Sequence, residues 1–138
     1  MEASHPVKVL IVNHEPLVWD LFRAIFFERD WQLFFAADSK DALEMAWNHQ
    51  PPLVFIDVTV PDGLAWIAID RIKHHQRTSH AKVVVLMSIE QELQKTKVQR
   101  LDVDALMFKP FNLRQVRELS ESLLQKDGMP GSPIASLR

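Results

Sequence analysis

The chain has 138 residues, 47 % of them apolar and 25 % charged, with a net charge of −2. That suits one soluble domain with a sizeable core and excludes two domains. It also excludes a global field that would draw the chain to nucleic acid or to an anionic membrane.

Cysteine is absent, which removes disulfides and thiol chemistry. No apolar run approaches the ~20 residues of a membrane span. Glu2, His5, Pro6 and Lys8 interrupt any secretory pattern, so a cytoplasmic location is the default expectation. The three glycines form no phosphate-cradling loop.

Val7–Val12 reads as a first strand, broken at Asn13-His14-Glu15-Pro16. Pro16 suits the first turn of a helix, and Leu17, Val18, Leu21, Phe22, Ile25 and Phe26 follow at helical period. Residues 31–36 form a short aromatic strand. Asp38 or Ser39 can then cap a helix carrying Ala42, Leu43 and Ala46. Pro51-Pro52 stops that helix and leads into Leu53-Val54-Phe55-Ile56-Asp57, a run apolar enough to be buried on both faces of a parallel sheet. After Pro61 a helix carries Trp66, Ile69 and Ile72, and residues 83–87 form another buried strand.

Residues 89–100 hold a thin stripe of Ile89, Leu93 and Val98, with Lys95, Lys97 and Arg100 as a solvated basic face. Residues 104–108 make a fifth strand before Lys109-Pro110. Asn112 can cap a last helix with Leu113, Val116, Leu119 and Leu123 on one face. From Asp127 the periodicity stops. The reading is therefore a domain over 1–126 and a flexible tail or linker over 127–138.

Strands alternating with helices predict an α/β fold: a doubly wound, flavodoxin-like, five-stranded parallel sheet in the order 2-1-3-4-5 with five helices. Ligands of such sheets bind outside the carboxyl ends of the strands. That places Asn13, His14 and Asp57 across one crevice, with Lys109 arriving from the fifth strand.

Over about residues 7 to 125 the sequence resembles the receiver domains of bacterial two-component response regulators. The resemblance rests on Val9-Leu10-Ile11-Val12 before Glu15-Pro16, Ala36-Ala37-Asp38 before Ala42-Leu43-Glu44, Asp57 with Pro61, and Lys109-Pro110-Phe111. It implies that Asp57 is at the phosphoacceptor position and Lys109 at the phosphoryl-contact position. It also implies Mg²⁺, a phosphohistidine donor, and an output face near residues 89–100, the fifth strand and the last helix.

The chain departs from that pattern where the family holds its metal and its switch. Asn13 and His14 occupy the acid-pair positions. Counting back twenty-two residues from Lys109 puts Met87 at the hydroxyl position, with Ser88 adjacent, and Leu106 takes the aromatic switch position. The loop glycine becomes Ala65. Mg²⁺ prefers hard oxygen ligands in octahedral geometry, and Asp57 and Lys109 roughly cancel in charge, so weak Mg²⁺ binding and no resident cofactor are expected. His14 suits Zn, Ni or Cu better, yet a solvated or hydrogen-bonded loop histidine is the preferred reading.

Trp19, Arg23 and Phe27 share one side of the first helix, either as a partner site or packed under the last helix. The expectation is a non-enzymatic pseudo-receiver acting by protein contact. Its partners would be a histidine kinase, a phosphotransferase, an effector domain or a second copy, with no direct nucleic-acid or membrane contact. The alternatives are a phosphorylated receiver with a weakened site, and a small enzyme or metal-binding module using His14 and Asp57.

Overall fold

The computed structural model describes residues 6–88 and 102–125, and the backbone of 135–137. The elements run β1 (Val7–Val12), α1 (Pro16–Ile25), β2 (Trp31–Ala36), α2 (Ser39–His49), β3 (Leu53–Asp57), α3 (Ala65–His74), β4 (Lys82–Ser88), β5 (Ala105–Lys109), α4 (Leu113–Gln125) and β6 (Ala135–Leu137).

All strand pairs are parallel, and the sheet order is β2-β1-β3-β4-β5-β6. The expected 2-1-3-4-5 order is therefore present, with one strand added beyond β5. That strand lies within the stretch read from sequence as a tail. Three residues are too few to show a period, and residues 135–137 pair with β5 through the backbone. The fifth helix expected at residues 89–100 lies outside the described residues, as does the basic cluster on it. Four helices are present among the described residues.

The strands alternate between two apolar layers. Leu10, Val12, Val54, Ile56, Val83, Val85, Met87, Leu106 and Phe108 pack under α2 and α3. Val9, Ile11, Leu53, Phe55, Val84, Leu86, Ala105 and Met107 pack under α1 and α4. β3 is buried at every position, which is why its sequence shows no polar alternation. Burying each such large side chain contributes about 1.5–3 kcal/mol, so the central strand is the stiffest support for a residue at its end.

Local chemistry sets the helix boundaries. Pro16 opens α1. Asp38 caps α2, its side chain accepting from the Asp41 N–H at 2.9 Å. Asn112 and Gln115 form a reciprocal cap on α4. Gly63 takes φ +70° in the loop before α3, a conformation a β-carbon would strain. With Gly63 there, Ala65 starts α3 and Ile69 and Ile72 face the core.

Candidate functional site

Successive strand residues point to opposite faces of a sheet. Val12, Ile56, Met87 and Phe108 all face the α2/α3 layer. The residues that follow them, Asn13, Asp57, Ser88 and Lys109, therefore turn to the α1/α4 side at the carboxyl edge of the sheet. The register supports this, pairing Asp57 with Leu86 and Ser88 with Lys109.

The two residues named for the hydroxyl position thus face opposite ways. Met87 is fully buried in the opposite layer, and Ser88 is the residue on the Asp57 side. Counting along the chain presumes a fixed length for the β4–β5 connection, whereas hydrogen-bond register fixes which face a residue takes. Leu106 is also buried in the α2/α3 layer, at 3 % exposure.

Asp57 is 0 % exposed. Its Oδ2 accepts from the Asn13 Nδ2 at 2.9 Å and pairs with the Lys109 Nζ at 2.5 Å. Its Oδ1 accepts from the Thr59 N–H at 2.8 Å and from the Thr59 hydroxyl at 2.5 Å. A carboxylate has about four lone-pair positions, so donors from this chain saturate Asp57. A buried charge requires such pairing to be tolerated.

Asn13 is equally committed. Its N–H donates to the Ala36 carbonyl at 3.0 Å, and its own carbonyl accepts from the Trp19 indole at 2.8 Å. Its Oδ1 accepts from the Glu15 N–H at 2.8 Å, which leaves Nδ2 to face Asp57.

The residues present do not fit the divalent cation that the resemblance implies. The Asn13 side-chain oxygen Oδ1 is turned to Glu15, and the Asp57 oxygens are occupied by nitrogen and hydroxyl donors. His14 is exposed. Among the described residues no group of three His, Cys, Asp or Glu side chains could hold a metal ion.

Thr59 and Trp19 belong to the site, and the sequence reading did not place them there. Thr59 had a signal: an aspartate two residues earlier readily accepts from its N–H in an Asx turn. Trp19 sits on the outer side of α1, where its ring lies 5.5 Å from that of Phe35 on β2, and Arg23 stacks over the same Phe35 at 4.6 Å. These two residues cover β2 and not the last helix, while Phe27 is 84 % exposed.

A cavity of about 240 Å³ opens beside the Asp57–Lys109 pair, lined by Asn13, Glu15, Val18, Leu21, Lys109, Pro110 and Phe111. On the other side, the loop after β3 carries Asp62, which accepts from the Ser39 N–H at 2.8 Å and the Leu64 N–H at 3.1 Å. Partial burial pushes its pKa up, but the hydrogen bonds from Leu64 and Ser39 outweigh this and hold it below the ordinary 3.8.

Residues 9–121 match the family of response regulator receiver domains. The chain belongs to that family. The receiver domain is 27 % identical over 124 residues to histidine kinase P4 of Formosa agariphila, a match covering 90 % of this chain and 9 % of that protein. It is 24 % identical over 139 residues to response regulator Rre1 of Synechocystis sp., covering 98 % of this chain and 60 % of that one. The chain thus spans less than two thirds of the length of either relative. In fold it is similar to the chemotaxis response regulator CheY4 of Vibrio cholerae, with a TM-score of 0.78 at 16 % identity, over 86 % of this chain and 99 % of that one. No helix among the described residues is long and apolar enough to cross a membrane.

Proposed function

We propose that this receiver domain signals by protein contact, with Asp57 held in a charge-compensated network and without dependence on metal-assisted phosphoryl transfer. The observation that carries the reading is Asn13: an amide donor lies 2.9 Å from Asp57 where the family places a metal-holding acid. Phosphoryl transfer depends above all on positioning and charge neutralisation. Here one ammonium neutralises one carboxylate, and a phosphorylated Asp57 would carry a charge of about −2 in place of that carboxylate, more than the one ammonium offsets.

Similarity to a histidine kinase and to a response regulator supports partners from two-component signalling: a kinase, a phosphotransferase or an effector domain. A cytoplasmic, non-enzymatic role without direct nucleic-acid or membrane contact belongs to the same reading.

One observation favours a second reading. Ser88 shares the Asp57 side of the sheet with Lys109, so a phosphoryl group on Asp57 would find a hydroxyl and an ammonium on that face. In this reading the chain is a phosphorylated receiver with a weakened site.

Labelling with a small-molecule phosphodonor, with and without Mg²⁺, separates the two. The first reading expects no acid-labile phosphate on the wild-type chain in either condition, and an unchanged signalling phenotype for Asp57→Ala at matched protein levels. Mg²⁺-dependent labelling that Asp57→Ala abolishes, with loss of signalling, establishes the second.

A further inference from the structure

The cavity beside Lys109 has a volume of about 240 Å³. A void of about 150 Å³ accommodates benzene, so this one has room for a single aromatic ring with a short chain. Its apolar walls are Val18 and Leu21 of α1, with Pro110 and Phe111 of the loop before α4. Val18, Leu21 and Phe111 are only partly buried and pack at the margin of the α1/α4 layer. The Phe111 ring rests on Phe22, with 6.1 Å between centroids. Half-covered apolar surface in a concavity suits an apolar guest.

Charge selects among such guests. Two ionisable residues line the cavity, Glu15 and Lys109. The Lys109 ammonium is committed to the buried Asp57, 2.5 Å away. Glu15 is exposed, and its carboxylate has no ion-pair partner among the described residues. Lys109 and Asp57 cancel, so the lining keeps the single negative charge of Glu15, which favours a cation. The face of Phe111 favours a cation as well. An anionic guest would compete with Asp57 for Lys109 and leave a buried carboxylate unpaired.

We propose that this cavity binds a small primary aryl-alkyl amine, its ring against Val18, Leu21 and Phe111 and its ammonium on the Glu15 carboxylate. The Glu15 N–H donates to the Asn13 Oδ1 at 2.8 Å, and the Asn13 amide donates to Asp57 at 2.9 Å. The residue that takes the amine is thus the one that orients the Asn13 side chain. The amine is an input distinct from phosphate, and the proposal does not depend on whether Asp57 is phosphorylated.

Isothermal titration calorimetry of the full chain with 2-phenylethylamine tests the site. The comparison ligands are 3-phenylpropionate, an anion of similar size, and 2-phenylethanol, a neutral one. Wild type is expected to bind the amine saturably, at least about tenfold more tightly than the anion. Glu15→Gln is expected to weaken the amine about fivefold and to leave the alcohol unchanged. Glu15→Lys is expected to reverse the order of amine and anion. Val18→Trp, which fills the cavity, is expected to abolish binding of all three. Equal affinity for amine and anion, amine binding unchanged in Glu15→Gln or in folded Val18→Trp, or no saturable binding to wild type overturns the proposal. Thermal melts establish that each variant is folded, and the two exposed Glu15 variants decide if Val18→Trp is not.

Discussion

The Asn13 side-chain amide donates to Asp57 across 2.9 Å and ties the end of β1 to the end of β3. An acid at this point would place two carboxylates together, a contact that only a cation or a proton relieves. Asn13→Asp is therefore expected to lower the melting temperature in metal-free buffer and to recover it in millimolar Mg²⁺. Wild type should melt at one temperature in both buffers. Differential scanning fluorimetry makes the comparison, and a Mg²⁺-stabilised wild type would contradict the account of the site.

The Lys109–Asp57 pair joins a fully buried carboxylate to an ammonium whose side chain is 30 % exposed. Removing one partner strands the other, but solvent reaching the lysine tempers the loss. Lys109→Ala is expected to cost about 1–3 kcal/mol. The exposed Arg114–Glu118 pair on α4 is the control, and Arg114→Ala should cost no more than about 0.5 kcal/mol. Equal urea midpoints for the two variants would show that the buried pair contributes nothing special.

Met87 and Ser88 are neighbours with opposite surroundings. Met87→Thr places a hydroxyl in the α2/α3 core and removes volume, a loss of about 2 kcal/mol or more. Ser88→Thr, half-buried at the strand end, should stay within about 0.5 kcal/mol. Chemical denaturation of both variants checks the placement, since a register slipped by one residue would reverse the order.

Asp62 supplies a pH prediction. Its folded pKa is below the ordinary 3.8, so the folded state binds fewer protons than the unfolded chain as this group titrates. Its contribution is thus complete above 3.8 and is lost as pH falls through the lower folded value. Urea midpoints of wild type and Asp62→Asn should diverge at about pH 6 and converge toward about pH 2. A constant gap across that range would show that the hydrogen bonds do not depend on the charge.

The sequence made the strand order legible because β1, β3 and β4 are buried on both faces and read as unbroken apolar runs. Asp57 and Lys109 were legible as polar residues at the ends of such runs. The direction of Ser88 was not, because spacing along the chain does not fix which face of the sheet a strand residue takes. The role of Asn13 as a donor to Asp57 was not legible either, because an amide presents both an acceptor and a donor, and only the Glu15 N–H decides which end faces the carboxylate. β6 escaped because backbone pairing leaves no trace in side-chain periodicity.

Arg117 on α4 donates to the Ile25 carbonyl at 2.8 Å, and Arg29 pairs with Glu121. Both ties lie at the carboxyl-terminal end of α1, whereas the cavity beside Lys109 lies at its amino-terminal end. The carboxyl-terminal end of α1 is thus fastened to the middle of α4, while its amino-terminal end borders the cavity without either tie. Arg117→Ala would remove one of the two fastenings and leave the other.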